Sequence, residues 1–416
     1  MYRALATANR AIATGFDVTV VTATEETFRT YTGTDDSLLD RLDPAVDVVR
    51  IAFPWPARDI RLTGQRVPDL LRRVRRRVLV LRSRFAFPET HYGSWLPGLT
   101  AAIENVHRRR PIDLCIATAN PHVTLAAANR LHRAHQVPYI VDYRDGWSLD
   151  VFTGASLFGQ RSRAGRWEGR ILDQAAEAWF VNEPIRSWYA QRYPGCAARM
   201  HVVRNGWDPE FLDVDVHADT VPGDPRPLTF GYLGTISAKV PVRELAAGWV
   251  GAVADLPPGS RLVLAGYRGF FEGADERVER LLTEAATAGL EVHEAVPKAE
   301  VAGFYDSVDV LVLALGTGRY VTSGKVYEYL ATGKPVVAVH HTDNAASEIL
   351  AGRDGVVLAQ SLAPESVATA IVQAAHLAVT EGPGAIGRRR EAADDLRRDR
   401  QLDPRLAAWA ARLGEG

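Results

Sequence analysis

The sequence predicts an α/β protein built of two doubly wound, Rossmann-like domains, and three observations carry that reading. Short runs of Val, Ile and Leu alternate along the chain with stretches of three- and four-residue apolar spacing, the pattern of buried parallel strands and their connecting helices. Several of these runs end in clusters of glycine and charged residues, the places where open α/β sheets gather ligands. At 416 residues the chain exceeds one ordinary core, which makes two domains the expectation.

The composition is globular, 47% hydrophobic and 24% charged, and a formal net charge of −1 implies no polyanion as partner of the whole surface. Arginines nevertheless crowd between Arg58 and Arg110, notably Arg72, Arg73, Arg75, Arg76 and Arg77. Cys115 and Cys196 are too few for a disulfide framework, which fits a reducing cytosol. No apolar run approaches the roughly 20 residues of a membrane span, and no signal-peptide pattern opens the chain. A cytoplasmic protein, soluble or peripheral on the inner face of a membrane, is expected.

The chain opens on helical spacing over 1–13, stops at Gly15 and enters a strand at Val18-Thr-Val-Val-Thr22. In a nucleotide-binding α/β domain a strand and a glycine-rich turn normally precede that helix. A start truncated by about fifteen to twenty-five residues is therefore expected, against a domain that lacks its first strand. Val46-Asp-Val-Val-Arg-Ile51 is the second strand, and a basic insertion at about 54–110 follows. Within it Leu70, Leu71, Val74, Val78 and Leu81 recur at helical steps with arginine on the other face. Three readings stay open for the arginine-rich helix at 70–84: peripheral contact with anionic lipid, a solvated or acceptor-facing helix packed on its own domain, and nucleic acid, disfavoured because no nucleic-acid module is present.

Ile112-Asp-Leu-Cys-Ile-Ala117 is a buried strand, followed by the turn Ala119-Asn-Pro-His122, a helix and the strand Val137-Pro-Tyr-Ile-Val-Asp142. The carboxyl end of that strand delivers Asp142, Tyr143, Arg144, Asp145, Gly146 and Trp147 together. Such a charged cluster is a candidate site, with a self-satisfied Asp–Arg pair bracing the loop as the plain alternative. His122 sits where a turn above a strand reaches the same place. Residues 213–227, rich in Asp and Pro, read as an exposed linker. The Asp213-Val-Asp215 inside it mimics a metal motif but lacks the strand-end turn such a motif needs.

The second domain restarts at Leu228-Thr-Phe-Gly-Tyr-Leu-Gly-Thr-Ile-Ser-Ala-Lys239: a strand, a turn at Gly234 and Thr235, and Lys239 before a helix. Further strands follow at 261–266, 290–293 and 308–313. The run Asp309-Val-Leu-Val-Leu-Ala314 precedes Thr322-Ser-Gly-Lys-Val-Tyr-Glu-Tyr-Leu-Ala-Thr-Gly-Lys-Pro-Val-Val337. Thr322 or Ser323 can cap the helix there, and Gly333 and Pro335 end it. Free backbone N–H groups and the dipole at this helix start suit a diphosphate. Lys325 opposes the dipole, which an anion beyond the helix end would explain, and Glu328 lies one turn in, able to accept two ribose hydroxyls. The plain alternative is a helix whose glutamate merely favours the dipole. The adjacent His340 and His341 lack metal-ligand spacing.

At 322–337 the chain resembles the family-four glycosyltransferases of the GT-B fold, in the branch that reads S-G-K-x-x-E-Y-x-A-x-G-x-P-V. Asp142 to Trp147 is similar to the D-x-R-D-x-W segment of that branch, Gly234 to Lys239 to its G-x-x-x-x-K donor loop, and Val202 to Asp208 to its V-x-x-N-G-x-D segment. The resemblance implies two domains facing across a cleft: 1–208 on the acceptor side, a linker at 209–227, a donor domain at 228–385, and a helical tail at 386–416 that packs back across the first domain. It implies that Gly234, Thr235, Lys239, Thr322, Ser323, Gly324, Lys325 and Glu328 bind a nucleotide-sugar. Arg144, Asp145 and Lys239 would carry the chemistry, and His122, Asp142 and Trp147 would face the acceptor. Two positions depart from the family: Tyr320 stands where an earlier glutamate is common, and Thr235 where an arginine often sits. The implied function is metal-independent, retaining transfer of a sugar to an acceptor hydroxyl, with no cofactor beyond the nucleotide-sugar, in cell-surface polysaccharide or natural-product synthesis. A GT-B sugar-nucleotide epimerase and a non-catalytic nucleotide-sugar-binding partner protein are the alternatives. A dinucleotide dehydrogenase is disfavoured, because no Gly-x-Gly-x-x-Gly follows an early strand.

Overall fold

The computed structural model describes residues 2–31, 40–53, 74, 77–78, 80–81, 83, 85–89, 91–212, 226–237, 239–267, 276–297, 300–316 and 318–414. They form two compact units, residues 1–204 with 401–416, and residues 205–400. The chain therefore leaves the first unit a few residues before the expected boundary and re-enters it within the tail.

In the first unit α1 (Tyr2–Ala13) ends before Gly15, whose φ of +93° suits a residue without Cβ, and leads into β1 (Thr19–Ala23). After α2 (Glu25–Tyr31), β2 (Asp47–Ile51) pairs in parallel with β1. The chain continues through α3 (Leu96–Arg109), β3 (Cys115–Thr118), α4 (Val123–His135), β4 (Tyr139–Tyr143), α5 (Arg163–Gln174), β5 (Glu177–Phe180), α6 (Glu183–Arg192) and β6 (Met200–Val202). Strands β3 to β6 form a second parallel sheet in sequence order. Every residue of β4 and β5 is buried, which is why they read as near-continuous apolar runs.

The second unit holds β7 (Thr229–Leu233), α7 (Val242–Ala252), β8 (Arg261–Ala265), α8 (Glu276–Ala286), β9 (Leu290–His293), α9 (Val301–Asp306), β10 (Val310–Ala314), α10 (Lys325–Thr332), β11 (Val336–Val339), α11 (Ala346–Leu350), β12 (Val356–Leu358), α12 (Pro364–Thr380) and α13 (Pro383–Ala392). Its sheet runs β12-β11-β10-β7-β8-β9, all parallel. Strand β10 shows why the sheet is doubly wound: Val310, Val312 and Ala314 belong to one apolar core and Leu311 and Leu313 to the other. Because the chain runs outward from β7 on one side and returns to β10 on the other, the strand order reverses between them. Such a reversal opens the crevice where α/β sheets take ligands. The last helix, α14 (Arg398–Gly414), carries Leu402, Leu406 and Trp409 into the first unit's core beside Ile140 and Trp179.

Of the expected basic helix, residues 70–73, 75, 76, 79, 82 and 84 lie outside the described ones, as do Asp213 and Asp215. The residues described between 74 and 86 are helical. Among the described ones Val74, Val78 and Leu81 are exposed, Val80 is half-buried and Ser83 is buried.

Candidate functional site

The reversal point of the second unit is built around glycine. A Cβ on Gly266, just after β8, would lie 1.5 Å from the carbonyl oxygen of Gly234, so the two loops approach only because position 266 carries no side chain. The turn after β7 is fixed by two buried tyrosines. Tyr232 donates its hydroxyl to the Thr235 carbonyl at 2.9 Å, and the Leu233 amide donates to the Tyr329 hydroxyl at 3.3 Å. Burial pushes both phenols upward, so both stay neutral.

Helix α10 begins beside this turn. Gly324 is its N-cap and supplies no side-chain cap, while Ser323 Oγ accepts from the Lys325 amide at 3.3 Å. Thr322 and Ser323 are half-buried in the loop before it, and Lys325 Nζ lies 3.4 Å from where a Cβ on Gly234 would stand. Two stretches about ninety residues apart thus put an ammonium, a helix start and a glycine turn in one place. Lys239 is exposed at the end of the same turn, its carbonyl so close to Gly316 that a Cβ there would lie at 2.2 Å. One turn into α10, Glu328 Oε2 accepts a 2.6 Å hydrogen bond from Tyr305, whose hydroxyl burial pushes far above its usual range. Tyr320 is half-buried on the same loop.

The Asn205-Gly206-Trp207-Asp208 segment has a visible structural role. Gly206, at φ +63°, lets the backbone of Leu396 and Arg398 approach, Trp207 Nε1 donates to the Ala393 carbonyl at 2.8 Å, and Arg398 lies 2.8 Å from Asp208. Burial still holds the Asp208 carboxyl above its ordinary range, with Arg398 pulling the other way.

In the first unit the loop after β4 exposes Arg144 and Asp145, and Asn120 Nδ2 donates to Asp145 Oδ2 at 3.3 Å. Asp142 is placed otherwise than expected. It is 1% exposed and clamped by Arg3 of α1, with Arg3 Nη2 2.6 Å and Nε 2.8 Å from its oxygens. Arg3 also donates to the carbonyls of Val203 and Arg204, so Asp142 anchors the amino-terminal helix instead of facing an acceptor.

Trp147 is buried between rings, stacked on Phe87 at 4.8 Å and on His122 at 5.5 Å. Its amide donates to Tyr189, which donates in turn to the fully buried Glu168, as does Tyr193. His122 has a partner that local sequence does not reveal. Glu89 accepts from the amides of His122 and Val123 at 3.0 and 2.9 Å and lies 3.3 Å from His122 Nδ1. An ionised carboxylate only accepts, so Nδ1 is the nitrogen that donates to Glu89, and Nε2 is buried without a hydrogen-bond partner. Glu89, Glu168, Tyr305 and Gly266 were not singled out from the sequence. Only Gly266, at the end of an apolar run, carried a local signal. Among the described residues no cluster of His, Cys, Asp or Glu could hold a metal ion, His340 and His341 included.

Residues 2–206 match the family model of the glycosyl transferase 4-like domain, and residues 227–376 match that of the glycosyl transferases group 1. The chain is a GT-B glycosyltransferase of the family-four type. None of the curated proteins matches this glycosyltransferase by sequence. Its fold is similar to sucrose-phosphate synthase from Thermosynechococcus elongatus, at TM-score 0.63 and 16% identity over 99% of this chain and 92% of that one. It is also similar to Anabaena HepE in complex with UDP, at TM-score 0.63 and 14% identity over 99% and 96% of the two chains. The UDP-forming α,α-trehalose-phosphate synthase of Burkholderia vietnamiensis follows at TM-score 0.57 and 12% identity over 96% and 99%.

Proposed function

We propose that this glycosyltransferase moves a sugar from a nucleoside diphosphate sugar to an acceptor hydroxyl with retention at the anomeric carbon. The observation that carries the reading is the Lys325 ammonium set above the Gly234 turn at the start of α10, where the sheet order reverses. Structures of HepE holding UDP and UDP-glucose support a uridine nucleotide as the first donor to try.

In this reading the glycosidic C–O bond breaks toward an oxocarbenium-like state, and the departing diphosphate takes the bonding pair. Lys325, the α10 amides and Lys239 receive its negative charge without a metal or other cofactor, each charged hydrogen bond contributing about 1.5–3 kcal/mol. Glu328, oriented by Tyr305, accepts the ribose hydroxyls through its carboxylate. The acceptor oxygen then bonds to the anomeric carbon on the face the diphosphate left, and its proton passes to a diphosphate oxygen. Asp145 and Arg144, exposed on the β4 loop, would hold the acceptor, with His122 nearby in the same unit. A cytoplasmic setting, with a polysaccharide, natural-product or lipid-linked acceptor, completes the proposal.

A thermal-shift panel of nucleoside diphosphates and their sugars, with and without EDTA, tests it on the wild type and on Glu328→Ala. A ligand at a hundred times its Kd stabilises by about 2.7 kcal/mol. The expected result is one nucleotide that raises Tm, ignores EDTA and loses its effect in Glu328→Ala. A panel without any shift, or a shift abolished by EDTA, overturns the donor site as described.

A further inference from the structure

Tyr305, on α9, is held at three points by one short stretch of chain, residues 328–334. Its hydroxyl donates to Glu328 Oε2 at 2.6 Å, its ring meets that of Tyr329 edge-on at 5.3 Å between centroids, and its carbonyl accepts from Lys334 Nζ at 2.7 Å. Both tyrosines are buried. Glu328 stands in the first turn of α10, and Lys334 follows Gly333, the residue that ends that helix. The two ends of α10 therefore grip the same residue of α9.

The lysine supplies what α9 lacks. This helix has six residues, too few to be stable on its own, and its last carbonyls have no partner within it. Lys334 Nζ donates to the carbonyls of Tyr305, Asp306 and Val308 at 2.7, 2.9 and 2.7 Å. That uses every proton of the ammonium and sets a positive charge at the negative end of the helix. The Lys334 amide donates to Thr332 Oγ1, and this buried hydroxyl donates to the Tyr329 carbonyl, so the lysine is itself tied to the end of α10. Burial pushes the Tyr305 phenol far above its usual range, so it keeps the proton it donates to Glu328.

We propose that Tyr305 and Lys334 are positioning residues for the donor ribose: Lys334 fixes the end of α9, Tyr305 fixes the Glu328 carboxylate, and together they make nucleotide binding depend on the 2′- and 3′-hydroxyls. The inference rests on the reading of Glu328 as the group that accepts the ribose, and it adds the reason that this glutamate discriminates. A half-buried glutamate has several side-chain torsions, and ordering them on a ligand would offset part of each bond gained. Here a buried hydroxyl orders them before the ligand arrives. A carboxylate has about four acceptor positions, so the bond from Tyr305 is compatible with bonds from ribose. A nucleotide without those hydroxyls gains nothing from the arrangement.

The test is calorimetric titration of the full chain with UDP, GDP and ADP and with their 2′,3′-dideoxy forms. The wild type is expected to bind one of these diphosphates at least about tenfold more tightly than its dideoxy form, the scale of hydroxyl bonds to a charged group. Tyr305→Phe keeps the ring on Tyr329 and removes only the hydroxyl. Its preference should shrink at least about threefold through weaker binding of the ribose form, while the dideoxy form binds as it does to the wild type. Lys334→Met should shrink the preference in the same way. Unchanged binding of the dideoxy form is the folding control, and the tyrosine variant decides alone if the lysine variant does not fold. A preference that survives in Tyr305→Phe but is lost in Glu328→Ala overturns the inference and leaves the ribose glutamate standing. Equal weakening of both forms in Tyr305→Phe also overturns it, because the tyrosine would then only support the fold. A folded Lys334→Met with the wild-type preference overturns the lysine's part. A wild type that binds none of the diphosphates, or binds ribose and dideoxy forms equally, overturns the reading of Glu328 and the inference with it.

Discussion

Asp142 and His122 show how far a residue's role depends on a partner the local sequence does not contain. Both stand at strand ends in the first unit, and both looked like groups facing an acceptor. Arg3, 139 positions away, consumes Asp142, with side-chain exposures of 3% and 2% for the pair. Glu89 instead holds His122, bonding its Nδ1 side and leaving Nε2 buried without a partner. For the buried pair, removing one partner is costly because an uncompensated charge stays in low dielectric. Arg3→Met should therefore destabilise the first unit by about 3–5 kcal/mol. The double variant Arg3→Met, Asp142→Leu should recover most of that loss in urea unfolding, because no charge is then left unpaired. If the single and double variants are equally unstable, Arg3 contributes through its bonds to the Val203 and Arg204 carbonyls and the ion pair adds nothing.

At the scale of the element, the parts legible in the sequence are those that neighbours along the chain determine. Strands β10 and β11 are buried on both faces, so burial wrote them as Val310-Leu-Val-Leu-Ala314 and Val336-Val-Ala-Val339. The turn before α10 and its stop at Gly333, φ +71°, were legible for the same reason. The basic helix was legible as a period and not as a direction. Periodicity says that one face differs from the other, but the burial of Ser83 follows from its contacts with Gly93 and Ser94, formed by a later stretch of chain. The Gly234–Gly266 approach was equally invisible, since strand register brings the two loops together. It is testable: Gly266→Ala forces a Cβ against backbone and should push the Gly234 turn outward, at a cost of about 1–3 kcal/mol. Nucleotide affinity should fall at least about tenfold, since 1.4 kcal/mol of lost contact already does that. The control is Gly303→Ala, in α9 with open space around it, which should be neutral or slightly stabilising. Nucleotide titrations that fail to separate the two variants would remove the close approach from the description of the site.

For the molecule as a whole, the path of the chain matters most at its end. Residues 205–400 form one unit, yet α14 carries the chain from residue 401 onward back to the first. The sequence made this tail visible as an amphipathic helix, and its partners become clear only from the core it enters. Leu402 and Leu406 are 1% and 0% exposed, beside Ile140 of β4 and Trp179 of β5. Each Leu→Ala change in such a core costs about 2–5 kcal/mol. The residues proposed to bind the donor, from Gly234 to Glu328, all belong to the other unit. The double variant Leu402→Ala, Leu406→Ala should therefore loosen the first unit while the donor site keeps its nucleotide. Hydrogen exchange reads this directly. Amides of β4, β5 and α1 should exchange much faster than in the wild type, those of β7, β8 and β10 should keep their protection, and the nucleotide-induced protection of the α10 start should persist. Uniform acceleration across both sheets would instead mean that the two units unfold as one, and that the tail stabilises the donor site as much as the sheet it packs against.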